Sequence, residues 1–162
     1  MKKRWILVFV LATVFGSAMH FFYDWLPLPV VGLFAPVNES VWEHLKMLFW
    51  PFLLSAVFLT QGAKDKHAAW SAFLAAALLQ PLFMVAAFYT LKGALGVESL
   101  ATDIALYVLV MAAGYLLAAE LMENGEAKRS LGLLIVLAAL YAACLVLFSI
   151  AAPGLPIFMA PS

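Results

Sequence analysis

Five long apolar runs dominate this chain, at about residues 5–25, 41–61, 68–90, 100–121 and 130–151. Each is long enough to cross about 30 Å of hydrocarbon, which takes roughly 20 helical residues. The chain is 67% hydrophobic and only 11% charged, with a mean hydropathy of +1.05, far from a soluble domain. In lipid the backbone must satisfy its own polar groups, so runs of this length become helices. The expected fold is all-α: one transmembrane domain over residues 1–162, an integral membrane bundle of about five helices.

Charge sets the expected orientation. With the N-terminus inside, the inner side collects Lys2, Lys3, Arg4, Lys64, Lys66, Lys128 and Arg129, and the outer side keeps Lys46 and Lys92. That bias follows the positive-inside rule and puts the C-terminus outside, in a multi-pass plasma or inner membrane. The start, Met1-Lys2-Lys3-Arg4 before an apolar run and Gly16-Ser17-Ala18, imitates a secretory signal. The run continues through Met19 to Trp25, so it reads as a retained signal anchor. A net charge of zero argues against nucleic acid as a partner, and the single Cys144 excludes an intrachain disulfide. Ala68, Ala69, Ala72, Ala75, Ala76 and Ala77 on the third run suit close helix contact, within the chain or in a homo-oligomer.

Polar groups are scarce, and they concentrate in Pro36-Val-Asn-Glu-Ser-Val-Trp-Glu-His-Leu-Lys46. At about 1.5 Å per residue, His20 lies roughly 20 Å across from the inner boundary, about a turn below the outer one. Asp24 follows at i+4 on the same face. His44 and Asp103 each lie about a turn in from the outer ends of their helices. Three helices thus bring His20, His44 and Asp103 to similar height, with Asp24, Glu39, Glu43 and Glu98 above them.

Two imidazoles with one or two carboxylates suit zinc or another divalent ion, here His20, Asp24, His44 and Asp103. An ion with water in an open position delivers hydroxide to an ester or phosphodiester. In that scheme His44 belongs to the reacting centre, Glu43 or Asp24 is the base, and Asn38, Glu39, Lys46 and Gln80 bind substrate. The plainer readings are structural. Ser40-Val-Trp-Glu43 matches a capping box, Lys46 fits a snorkelling anchor, and His20 with Asp24 fits a hydrogen-bonded pair. Haem between the two histidines lacks any attachment motif. Pro51 and Pro81 free the carbonyls of Met47 and Ala77, which either opens a cavity or shapes packing. There is no Gly-x-Ser-x-Gly, phosphate loop, Cys-x-x-Cys or His-Glu-x-x-His.

Met19-His20-Phe21-Phe22-Tyr23-Asp24-Trp25 and Gly32-Leu-Phe-Ala-Pro36-Val-Asn-Glu-Ser40-Val-Trp-Glu-His44-Leu-Lys46 carry a resemblance. The chain resembles an uncharacterised family of small prokaryotic multi-pass membrane proteins with a Pro-Val-Asn-Glu-Ser-x-Trp-Glu-His-x-Lys signature. The resemblance implies a membrane protein and no particular reaction. Three functions stay open on the sequence. One is a metal-assisted hydrolase or transferase acting on a lipid or lipid-linked substrate. Another is an oligomeric transporter or channel that binds a cation or small solute at the same place. The third is a non-catalytic membrane interaction protein.

Overall fold

The computed structural model describes residues 2–160. Among these there are no strands, and the molecule is a helical bundle. Five long helices make it: α1 (Lys2–Met19), α4 (Val41–Thr60), α5 (Lys66–Tyr89), α6 (Leu100–Asn124) and α7 (Leu131–Ile150). Two single-turn helices, α2 (Phe22–Trp25) and α3 (Pro29–Gly32), fill the connection between α1 and α4. A π turn (Thr90–Ala94) extends α5, and short 3₁₀ segments precede and follow α7.

Local chemistry sets these ends. Ser40 is in extended backbone and its Oγ accepts from Glu43 N at 3.3 Å, which starts α4. Asp65 starts α5 in the same way, with Oδ1 accepting from His67 N at 3.0 Å and Ala68 N at 3.1 Å. Gly125 closes α6 at φ +65°, in the left-handed region where a Cβ is unfavourable.

The expected first span does not run on to residue 25. Helix α1 stops at Met19, and tight 3₁₀-type bonds from His20 N to Ser17 O and from Phe21 N to Ala18 O turn the chain there. The number of qualifying spans also differs from the five expected. Among the described residues, three helical stretches suffice by length and composition to cross a membrane: Lys66–Ala94, Leu100–Asn124 and Glu126–Ile150. The other two long helices carry polar load at one end, with basic residues opening α1 and Glu43, His44 and Lys46 in the first turns of α4.

The core lies where α4, α5 and α6 meet α1. Helices α5 and α6 pack along their length, and Ala68, Ala69, Ala72, Ala76 and Ala77 are all buried inside this single chain. Phe52 and Phe73 close around Tyr115, the Phe52 and Tyr115 rings edge-to-face at 5.0 Å. Gln80 is buried against Gly114, where a Cβ would collide with the glutamine amide. Gln80 Nε2 donates to Val110 O at 3.2 Å.

The carbonyl that Pro51 frees is accounted for. The Tyr107 hydroxyl lies 3.4 Å from Met47 O and 3.1 Å from Thr13 O, and donates to one at a time. Gly16 permits this approach, since a Cβ there would lie 2.6 Å from Met47 O. Most of α7 stays outside this core: Leu133, Ile135, Val136, Leu140, Leu147 and Ile150 are exposed apolar side chains.

Candidate functional site

The polar segment folds into two layers with different chemistry. The inner layer is sealed. Lys46 is fully buried, and its Nζ donates to Gly32 O at 2.6 Å, Ala35 O at 3.3 Å and Glu43 Oε2 at 2.7 Å. Glu43 is 2% exposed. Its Oε2 also accepts from Val37 N at 3.0 Å, and its Oε1 accepts from the Ser149 hydroxyl on α7 at 2.6 Å. A buried ammonium and carboxylate are tolerable in such a place only when paired and hydrogen-bonded on all sides. This pair is: it clamps the 32–37 stretch onto α4, and Ser149 joins α7 to the same carboxylate.

This geometry corrects three expectations. Lys46 does not snorkel to the surface or reach a substrate position, because three acceptors hold its head inside. Glu43 is no free base, since both oxygens are occupied. The capping box is also only half made: Asn38 Oδ1, not Glu43, accepts from Ser40 N, at 2.8 Å.

The outer layer is open. His20 from the end of α1, Glu39 from the loop and His44 from α4 converge so that one ligand atom from each lies within 4.8 Å of the others. Glu39 Oε1 is 3.7 Å from His20 Nε2, and Glu39 Oε2 is 3.6 Å from His44 Nε2. The two imidazole centroids are 5.2 Å apart. Both histidine side chains are 28% exposed, so the trio faces outward from the bundle.

The His44 ring is oriented from behind. Its Nδ1 lies 2.8 Å from Ser40 O, and a carbonyl can only accept, so Nδ1 carries the proton. In the neutral ring the Nε2 lone pair is then the one that faces Glu39 and His20. A backbone carbonyl fixing the tautomer of a ligand histidine is a common outer-shell arrangement at metal sites. Ligand bonds of about 2.0–2.1 Å in a tetrahedron place neighbouring donor atoms roughly 3.3 Å apart. The two short separations run to different carboxylate oxygens, and with one donor atom per residue the trio lies within 4.8 Å, so ligation draws the donors inward.

The remaining expected residues lie elsewhere. Asp24 is exposed on α2; the break after Met19 cancels the i,i+4 alignment with His20 and leaves it outside the trio. Asp103 sits one turn into α6 as expected, but its carboxylate pairs with Lys92 Nζ at 3.0 Å. Gln80 belongs to the α5–α6 contact. Asn38 is exposed and serves the turn before α4. Glu39, which the sequence suggests as a substrate contact, takes the carboxylate position of the trio.

The family model matches residues 1–161. The chain belongs to DUF6512, a family of unknown function. No curated protein and no solved structure matches it. What this DUF6512 chain offers chemically is therefore read from its own residues: a helical, partly apolar bundle with a His/Glu cluster at one end. Ser149 is the participant that sequence reasoning missed. It sits in an apolar helix 106 residues from Glu43, and only its being polar in such a run marks it.

Proposed function

We propose that this DUF6512 chain is a multi-pass integral membrane protein, N-terminus inside, that binds a divalent cation such as zinc through His20, Glu39 and His44. We propose further that it uses the ion to hydrolyse or transfer an ester or phosphoester of a lipid-type substrate. The observation that carries the reading is the convergence of three donors from three separate segments, with the His44 tautomer set for ligation.

Two neutral imidazoles and one carboxylate leave a divalent ion with net positive charge. That charge lowers the pKa of a bound water and favours an anionic reacting group. His20, Glu39 and His44 would hold the ion, which when bound would supply an activated water for attack on an ester carbonyl or phosphorus. Exposure of the trio leaves room for the water and the substrate.

An apolar groove of about 630 Å³ supports a lipid in preference to a soluble substrate. It runs between α1, α3 and α4, and Phe15, Met19, Phe22, Phe34, Trp50 and Leu54 line it. Met19 and Phe22 flank His20 in sequence, so an acyl chain in the groove brings its head end toward the trio. The volume falls within the usual range for ligand pockets, about 300–1,000 Å³.

The test is hydrolysis of phospholipid or acyl-glycerol in mixed micelles by protein loaded with zinc. Release of product that needs the metal, and that is lost in Glu39→Gln, supports the reading. Metal binding without turnover on any such substrate removes the catalytic part.

A further inference from the structure

A second site lies at the opposite end of the bundle. A pocket of about 380 Å³ opens between the start of α1, the end of α4 and the inner end of α6. Arg4 and Lys64 supply its cations, and Trp5, Leu59 and Met122 its apolar part. Asp65 is the one acid among the lining residues. Its carboxylate is already committed, to Lys128 Nζ at 2.6 Å and to the backbone N–H groups that start α5. The pocket's own positive charge is therefore not cancelled from within.

Arg4 is held in place without being used up. One guanidinium nitrogen donates to Phe58 O near the end of α4. Its other terminal nitrogen lies beside Gly62, where a Cβ would come within 2.9 Å of it. A glycine there lets the loop that carries Lys64 approach the guanidinium. Arginine has five N–H donors in a fixed fork suited to phosphate oxygens, so most of them stay available. The pocket also sits where the chain's basic residues gather: Lys3, Arg4, Lys64, Lys66, Lys128 and Arg129 flank this end of the helices.

We infer that this pocket binds a phosphate-bearing group, its oxygens between Arg4 and Lys64 and its apolar portion against Trp5, Leu59 and Met122. Charged rim and apolar floor match the head end of an anionic phospholipid. Basic pockets between helices on the inner side of membrane proteins take such head groups. The inference draws on the membrane reading for a lipid source alone. It is independent of the metal trio, which lies at the other end of α1 and α4.

The experiment has two arms. Protein in nanodiscs holding both phosphatidylglycerol and phosphatidylcholine is released and its retained lipid counted by native mass spectrometry. Protein in detergent is titrated with inorganic phosphate and followed by thermal unfolding. Each cation near an anionic lipid surface strengthens the attraction by about fivefold, so Arg4→Gln/Lys64→Gln loses selective phosphatidylglycerol retention by tenfold or more. Lys64→Glu alone, on an exposed loop residue, keeps the fold and shows most of that loss. Lys66→Gln/Arg129→Gln, outside the lining, retains the lipid as wild type does. Protection by inorganic phosphate, lost in the pocket variants, assigns the group to a soluble source instead. The inference is overturned if the pocket variants match wild type in both arms, or if the outside variant loses as much as they do.

Discussion

Lys46 Nζ lies 2.7 Å from Glu43 Oε2 one turn away on α4, with both side chains sealed from solvent. Replacing one partner strands the other. Lys46→Met leaves the buried Glu43 carboxylate without its cation and the Gly32 and Ala35 carbonyls without their donor. The expected loss is about 3–5 kcal/mol. Thermal unfolding in detergent checks it, together with Glu43→Gln/Lys46→Met, which should recover part of the loss because no unpaired charge remains.

Ser149 ties α7 to this pair through Glu43 Oε1. Ser149→Ala removes one hydrogen bond to a charged acceptor, with an expected cost of about 1.5–3 kcal/mol. Coupling in a double-mutant cycle with Glu43→Gln would show that the two losses are one interaction; strict additivity would separate them.

The Tyr107 hydroxyl serves the Met47 carbonyl that Pro51 leaves free. Tyr107→Phe should cost about 1–3 kcal/mol by leaving that buried oxygen unpaired. In a Pro51→Ala background the new amide N–H can serve Met47 O, so the same change should cost less. Equal losses in both backgrounds would show that the hydroxyl acts only on Thr13 O.

At the end of the bundle away from the histidines, the Lys128 ammonium and then the Ala68 backbone N–H hold the Asp65 carboxyl below its ordinary range. A depressed carboxyl contributes stability that is complete above the unfolded value, about 4. The contribution fades as pH falls from there through the depressed folded value. Wild type and Lys128→Met should therefore differ in unfolding temperature at neutral pH and converge in strong acid. A gap that persists at low pH would assign the difference to packing.

Much of the bundle was legible because apolar run length and capping residues set helix ends locally. Ser40 begins α4 where its side chain predicts, whereas Asp65 starts α5 at Lys66, ahead of the expected run from 68. Depth was legible for the two histidines: rise per residue sets His20 and His44 near one level, and their rings meet at 5.2 Å. Azimuth was not: Asp103 points to Lys92, and nothing in its spacing from Ser99 says so. The return path of residues 26–40 was equally hidden. It has no period, yet it delivers Glu39 to the histidines and the Gly32 and Ala35 carbonyls to Lys46. The His20–Asp24 pairing failed for a local reason, the turn after Met19.

The trio's geometry makes the central claim measurable by elemental analysis of protein purified in detergent, beside a His20→Ala/His44→Ala variant. Because both histidines are on the open rim, the variant should stay folded. The account predicts about one divalent ion per chain in wild type after zinc loading and dialysis, and none retained by the folded variant. No bound metal in wild type, with Glu39 merely bridging two imidazoles, would contradict it.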